Sequence, residues 1–318
     1  MDIKEIQNLG ERVKENVNKV IIGKDEIIDL VLTSIVAGGN VLLEDVPGTG
    51  KTVLAKALSK SIGADFKRVQ FTPDLLPSDL TGINYYNQKQ GEFVFRKGPV
   101  FTNILLADEI NRATPRTQSS LLEAMEERQV TIDGTTYSLG DFFFVIATQN
   151  PVETQGTFPL PEAQLDRFLM MLSMGYPSIE EGKRIFERFI RNNPLEELGE
   201  VCSFEDIVQA KKSFNKVFVH DELQEYMLKI INKTLKYEGI ILGVSPRGSL
   251  ALLKGCQAYA ALKGREYVVP EDIKLLAPHI LGHRIILKDS LRIRGTKGAH
   301  IIGEILAETD VPTENWNK

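Results

Sequence analysis

Cysteine is scarce. The 318 residues hold two, Cys202 and Cys256, far apart and with no CxxC pair. That argues against a disulfide scaffold and a structural zinc site, and makes a reducing cytoplasm the expected setting. Long apolar runs are also lacking. None approaches the ~18–20 residues that cross a bilayer, so no membrane span is expected. The opening MDIKEIQNLGERVKEN is charged throughout, unlike a signal peptide. Positive charge is not in excess: 38 Lys and Arg against 43 Asp and Glu leave a net −5, which argues against a nucleic-acid-coating surface. Histidine is limited to four, and although His279 and His283 stand four apart, no third ligand is evident nearby. Their expected role is structural. Internal repeats and low-complexity tracts are absent. What is present is an ordinary globular composition, 42% hydrophobic and 25% charged, in a length that suits about two domains.

Apolar periodicity expects a helix over the first 20 residues, with Ile3, Ile6, Val13, Val17 and Val20 on one face, and a second over about 25–37. Val41-Leu42-Leu43 then reads as a short buried strand. A Gly-rich loop at 45–50 leads into a helix at about 51–61, a strand at 66–71 and a long irregular segment at 72–97. The apolar stretch 103–107 is the next strand, followed by a helix at about 116–128. Residues 129–139 read as a hairpin around Asp133-Gly134. An apolar strand at 141–148 and a short one within 165–172 follow. Strands separated by helices expect an α/β fold with a parallel sheet covered on both faces. From about 178 the pattern turns helical, at 179–191, 204–215, 221–236, 247–263 and 270–286, with a linker at Asn192-Asn193-Pro194. The expected organisation is an α/β domain over 1–195 and a smaller all-helical domain over 196–318.

The stretch Glu44-Asp45-Val46-Pro47-Gly48-Thr49-Gly50-Lys51-Thr52 joins a buried strand to a helix, the context a phosphate loop requires. Gly48 and Gly50 let backbone N–H groups turn inward, and the helix N-terminus adds its positive dipole end. Pro47 through Val53 are the residues expected to hold the phosphates. Lys51 would reach the β- and γ-phosphates, and Thr52 would ligand Mg²⁺. The pattern departs at its first position, where Asp45 replaces glycine.

About 55 residues on, Ile104-Leu105-Leu106-Ala107 ends in Asp108-Glu109. Asp108 would hold Mg²⁺ through water, and Glu109 would position and deprotonate an attacking water. Having both carboxylates favours hydrolysis of ATP over mere binding. The strand ending in Thr148-Gln149-Asn150-Pro151 offers Asn150 to hold the water and γ-phosphate. Arg167 and Arg247, taken alone, read as solvated surface residues.

With these residues in hand, the chain resembles the MoxR family of AAA+ ATPases from about residue 10 to about 305. The resemblance rests on the Leu42–Thr52 stretch, Gln70-Phe71-Thr72-Pro73-Asp74-Leu75-Leu76-Pro77-Ser78-Asp79-Leu80-Thr81-Gly82, and Leu106–Ala113. It rests equally on Gln118–Arg128, Ala147–Pro151 and Pro159–Phe168. It implies that Lys51-Thr52 end the Walker A motif, that Asp108-Glu109 form Walker B, and that Asn150 is sensor 1. It further implies that Arg167 is an arginine finger reaching a neighbour's nucleotide, that Arg247 is the sensor 2 arginine of the helical lid, and that Ile22-Gly23 lie near the adenine. Residues 72–97 then match the helix-2 insert, and 129–139 the pre-sensor-1 insert. Asp45 in place of glycine also looks like what this family often carries.

The function so implied is ATP-driven, chaperone-like remodelling or assembly of partner proteins by a homo-oligomeric ring, a hexamer by family expectation. Partners with a von Willebrand factor A domain are one expected client class. Two alternatives stand beside it: a regulatory module that holds ATP with little turnover, and a nucleic-acid motor, which the acidic net charge disfavours.

Overall fold

A computed structural model of the chain describes residues 1–152, 155–191 and 193–312; Asn192 of the expected linker lies outside them. In chain order come α1 (Ile3–Asn18), α2 (Asp25–Ala37), β1 (Asn40–Glu44), α3 (Lys51–Ser61) and β2 (Phe66–Gln70). There follow α4 (Pro77–Thr81), β3 (Gly82–Asn87), β4 (Glu92–Lys97), β5 (Ile104–Asp108), α5 (Pro115–Glu127), β6 (Gln129–Ile132), β7 (Thr135–Ser138), β8 (Phe144–Gln149), α6 (Glu162–Leu165) and β9 (Phe168–Leu172). The remainder is mostly helical: α7 (Ile179–Arg191), α8 (Phe204–Ser213), α9 (Asp221–Lys236), β10 (Ile240–Leu242), α10 (Pro246–Leu262), α11 (Pro270–Leu281), β11 (Ile286–Leu287), α12 (Asp289–Ile293) and α13 (Gly298–Ala307).

Five strands form one sheet in the order β2-β5-β8-β1-β9, parallel at every pairing. Side chains alternate between its faces. Ile104, Leu106 and Ile146 join the core under α1, α2 and α3, while Leu105, Ala107 and Val145 join the core under α5. Burial on both sides explains why these strands read as unbroken apolar runs. The first of these cores continues into the C-terminal helices, where α10 packs on α1 and α2 as well as on α11. Among the described residues no helix is long and apolar enough to cross a membrane.

Because the strands are parallel, their C-terminal ends share one edge of the sheet. Glu44 pairs with Gln149, and Gln70 with Asp108. The opposite edge carries the strand starts, with Asn40 beside Phe168. The Asn40-to-Glu44 rise separates the two edges by roughly 13 Å.

Three expectations need correction. The 72–97 segment is not irregular: it holds α4 and the antiparallel β3–β4 hairpin. Its alternation is masked because β3 and β4 bury little on either side. Phe95 stacks on Tyr137 of β7 at 4.2 Å, which joins this hairpin to β6–β7. The second correction concerns 165–172, whose first residue closes α6 while the strand begins at Phe168. Third, the 270–286 helix stops at Leu281 and β11 follows, pairing antiparallel with β10. At that stop the chain passes α13 closely: a Cβ on Gly298 would lie 2.0 Å from the Gly282 carbonyl oxygen. The Asp133-Gly134 turn forms as expected, with φ of 50° and 81°.

Candidate active site

β1 ends at Glu44, and the loop that follows crosses the C-terminal edge of the sheet. Gly48 (φ 83°) and Gly50 (φ 92°) take left-handed conformations that side chains would strain. Gly50 is the N-cap of α3 and supplies no side-chain cap. The first-turn N–H groups of Lys51, Thr52 and Val53 therefore have no intrahelical acceptor. All three residues line a cleft of about 390 Å³ with Pro47, Gly48 and Gly50. Thr49 instead turns back on the loop, its hydroxyl donating to the Val46 carbonyl at 3.4 Å. Lys51 Nζ donates to the carbonyls of Asp45 and Val46 at 2.9 and 3.0 Å. Burial lowers the Lys51 pKa from its usual value, against the opposing pull of Asp45, Asp108 and Glu109.

The far wall of the cleft is built from the ends of β2, β5 and β8. Asp108, Glu109, Thr148, Gln149 and Asn150 all line it, as do Arg68 and Gln70. Asp108 Oδ2 accepts from Arg68 Nε and a terminal guanidinium nitrogen at 3.1 and 2.7 Å. Asp108 Oδ1 accepts the Thr148 hydroxyl at 2.6 Å. Glu109 has a left-handed φ of 56°, and its N–H donates to the Thr148 oxygen at 2.8 Å. The Glu109 carboxylate accepts from Gln70 Nε2 at 2.6 Å and from Arg112 at 3.1 Å. Asn150 Oδ1 accepts the Val152 N–H at 3.1 Å.

A lysine, a helix N-terminus and a Gly-rich strand-to-helix loop facing two carboxylates suit a polyphosphate chelated by a divalent cation. The donor set fits that cation: the Thr52 hydroxyl and the Asp108 carboxylate share the cleft, and the oxygen chemistry is what Mg²⁺ takes. Arg68, 47% exposed, pairs with Asp108 and also donates to the Gln70 side chain at 3.0 Å.

Four further expected site residues, Ile22, Gly23, Arg167 and Arg247, do not line this cleft. Ile22 is buried and Gly23 (φ 73°) abuts the Glu181 carboxylate. Arg167 and Arg247 are brought together, but at the other edge of the sheet. Arg167 precedes β9 and lies 3.3 Å from Glu126 of α5, whose other oxygen pairs with Arg247 at the start of α10. They line a separate cleft of about 590 Å³ with Arg128, Lys254 and Arg284. Arg284 is buried, pairing with Asp166 at 2.7 Å and donating to the Phe168 and Leu169 carbonyls, which fixes the start of β9. Neither Arg167 nor Arg247 lines the cleft of Lys51 in its own chain.

The family model described as "ATPase family associated with various cellular activities (AAA)" matches residues 40–170, and the AAA lid domain model matches 232–305. The chain is 38% identical to the chaperone MoxR1 of Mycobacterium tuberculosis, over 96% of this chain and 83% of that protein. The chain belongs to the MoxR family of AAA+ ATPases. It is also 52% identical to the uncharacterized protein YeaC of Bacillus subtilis, over 96% and 95% of the two chains. A solved structure of a candidate ATPase from Cytophaga hutchinsonii superposes with a TM-score of 0.90 at 40% identity, over 98% and 97% of the two chains.

Gln70, Glu126 and Thr148 fall within the MoxR-like stretches, but nothing local in the sequence assigns them a task. The register would have found two of them. Gln70 pairs with Asp108 across β2–β5, and Thr148 follows the Ala147 that pairs with Ala107. Arg68 and Arg284 carry no local signal, since each acts through a partner at least 40 residues away. Among the described residues no group of three or more His, Cys, Asp or Glu side chains is gathered, at His279 and His283 or elsewhere. Burial pushes the His283 pKa down to about 3, with the neighbouring Arg284 charge adding to it, and Nε2 meets the Phe168 carbonyl at 3.1 Å.

Proposed function

We propose that this MoxR protein binds and hydrolyses ATP with Mg²⁺, as a homo-oligomeric ring in which each subunit completes its neighbour's site. The observation that carries the reading is the convergence of Lys51, Thr52, Asp108, Glu109 and Asn150 on one cleft. The bound metal would supply charge neutralisation at the phosphates. Lys51 releases two carbonyls and takes phosphate oxygens instead. Thr52 and Asp108 would hold the metal, which requires Arg68 to give up its bond to Asp108. Asn150 holds the attacking water, and Glu109 accepts its proton. Ile22 and Gly23 form the wall beside the base.

Arg167 and Arg247 line a basic cleft at the opposite edge of the sheet from Lys51. Their pairing supports delivery of both to the nucleotide of the next subunit, where a trans arginine is worth about 10³–10⁵ in rate in comparable systems. An interface between unlike faces closes into a ring, and six subunits is the proposed count. The domain boundary is placed at 195/196. Partner proteins are the proposed clients, those with von Willebrand factor A domains first among them, and the MoxR1 relative is named a chaperone. The proposed setting is the cytoplasm, in keeping with Cys202 and Cys256 both buried and free.

The test is ATP turnover per subunit against protein concentration, for wild type and Arg167→Ala. A rate that rises with concentration, and a variant flat near zero, support the shared site. Concentration-independent turnover with a wild-type-like variant sinks the trans assignment. A second reading has its own observation: Glu109 is engaged by Gln70 and Arg112, and Asp108 by Arg68. If ATP binds tightly and no turnover appears at any concentration, the regulatory module with little turnover is the better description.

A further inference from the structure

Asp45 stands where a phosphate loop usually has its first glycine, and the fold gives it specific work. The β1–β9 ladder ends at the Leu43–Leu172 pair. Two residues further, the Asp45 N–H still reaches the Gln149 carbonyl at 3.2 Å, extending the β8 side of the ladder. On the β9 side the Asp45 carboxylate takes over. It accepts the Ser173 hydroxyl at 3.0 Å, the Gly175 N–H at 3.2 Å, and the Met174 N–H in a short bond. The residue is 6% exposed. A glycine here would leave two backbone N–H groups of 174 and 175 without this acceptor.

The segment so held, 173–181, also reaches the other wall. Lys24 Nζ donates to the Tyr176 carbonyl at 3.3 Å and lies 3.9 Å from the Glu181 carboxylate. That carboxylate packs against Gly23 so closely that a Cβ there would come within 1.8 Å of it. One continuous segment therefore touches the phosphate loop at one end and Gly23-Lys24 at the other.

We propose that Asp45 is a positioning residue that locks the phosphate loop to the base-side wall, so that the two ends of one nucleotide meet a single rigid unit. This rests on the ATP reading above. A locked pair of walls binds a molecule that spans both better than its parts suggest, because the ordering cost is met before binding. Without the lock, the triphosphate end still finds Lys51 and the α3 N-terminus, but the base no longer adds its full share.

The experiment measures binding of a non-hydrolysable ATP analogue and of inorganic tripolyphosphate, each with Mg²⁺, to the full chain by calorimetry. Wild type, Asp45→Gly, Asp45→Asn and Ser173→Ala are compared. For Asp45→Gly the expected loss is about tenfold or more for the analogue and under about threefold for tripolyphosphate, the scale of one lost charged hydrogen bond. Asp45→Asn keeps an acceptor and the shape, so it should fall between, and it decides the question if the glycine variant does not fold. Ser173→Ala, which spares both backbone bonds, should lose less than either. An unchanged ratio of the two affinities in both Asp45 variants, with wild-type binding intact, overturns this proposal alone. If wild type binds neither probe, the nucleotide reading falls and this one falls with it.

Discussion

Thr148 donates its hydroxyl hydrogen to Asp108 Oδ1 at 2.6 Å. The Thr148 hydroxyl oxygen in turn accepts the Glu109 N–H at 2.8 Å, and Glu109 is held in a left-handed conformation that costs a side-chain-bearing residue about 1 kcal/mol or more. One buried hydroxyl thus fixes both carboxylates of the site. Thr148→Val keeps the β-branched shape and removes that hydroxyl. It should lower kcat by about tenfold or more, since a buried donor left unsatisfied costs roughly 1–3 kcal/mol. KM for ATP should change much less, because Lys51 and the phosphate loop are untouched. Thr148→Ser should recover most of the loss. A Thr148→Val enzyme with wild-type kcat would mean that Glu109 holds its place unaided.

The pairing of Arg167 and Arg247 on Glu126 gives a complementation test. Glu109→Gln removes the proposed base of one site, and Arg247→Ala removes the arginine proposed to serve the next. Each variant alone should turn over ATP at a small fraction of the wild-type rate. In a ring of unlike faces, random mixing in equal amounts rebuilds intact sites at roughly a quarter of the interfaces. Turnover of the mixture should therefore exceed the mean of the two variants several-fold. No recovery on mixing would mean that Arg247 serves its own chain.

The sheet was legible because its strands are buried on both faces, and such strands announce themselves as unbroken apolar runs. The phosphate loop and the Asp108-Glu109 pair were legible because their chemistry is local in sequence and each sits at a strand end. The β3–β4 hairpin was not, since Tyr85, Tyr86 and Phe93 are exposed and no face of it alternates cleanly. The last third was only half legible for a different reason. The end of α11 is set by the Gly282–Gly298 approach, a contact between residues 16 positions apart that periodicity along one helix cannot register. Likewise the place of Arg247 depends on how α10 packs on α1 and α2, which no motif states.

His283 ties part of the stability to pH. Its folded pKa is pushed from 6.5 to about 3, chiefly by burial. The unfolded chain takes up a proton near 6.5 and the folded chain does not until far lower. The stabilisation from this residue is thus complete above about pH 6.5 and is lost as pH falls towards 3, at about 1.4 kcal/mol per pH unit. His283→Gln keeps a neutral polar side chain at this position and does not titrate. Urea denaturation between pH 7 and 5 should show the wild type losing stability more steeply than the variant by about that slope. Parallel curves would place the His283 proton on the folded chain already.

The Gly282–Gly298 approach makes a prediction about the C-terminal helices. α13 contributes Ile301, Ile302, Ile305 and Leu306 to the core and packs on α11. A methyl group on Gly298 would meet the Gly282 carbonyl oxygen at 2.0 Å, and that oxygen is backbone, which cannot rotate away. Gly298→Ala must therefore push α13 off α11, at a cost of about 1–3 kcal/mol. Gly303, also in α13, has nothing within 4 Å of its would-be Cβ. Gly303→Ala should be neutral or should stabilise by up to about 1 kcal/mol, because alanine loses less backbone freedom in a helix. The comparison separates crowding from helix propensity, since both changes add the same methyl group to the same helix. Denaturation midpoints that move in opposite directions support the close approach. A Gly298→Ala midpoint at or above wild type would show that α13 docks with slack, and that α11 ends at Leu281 for some other reason.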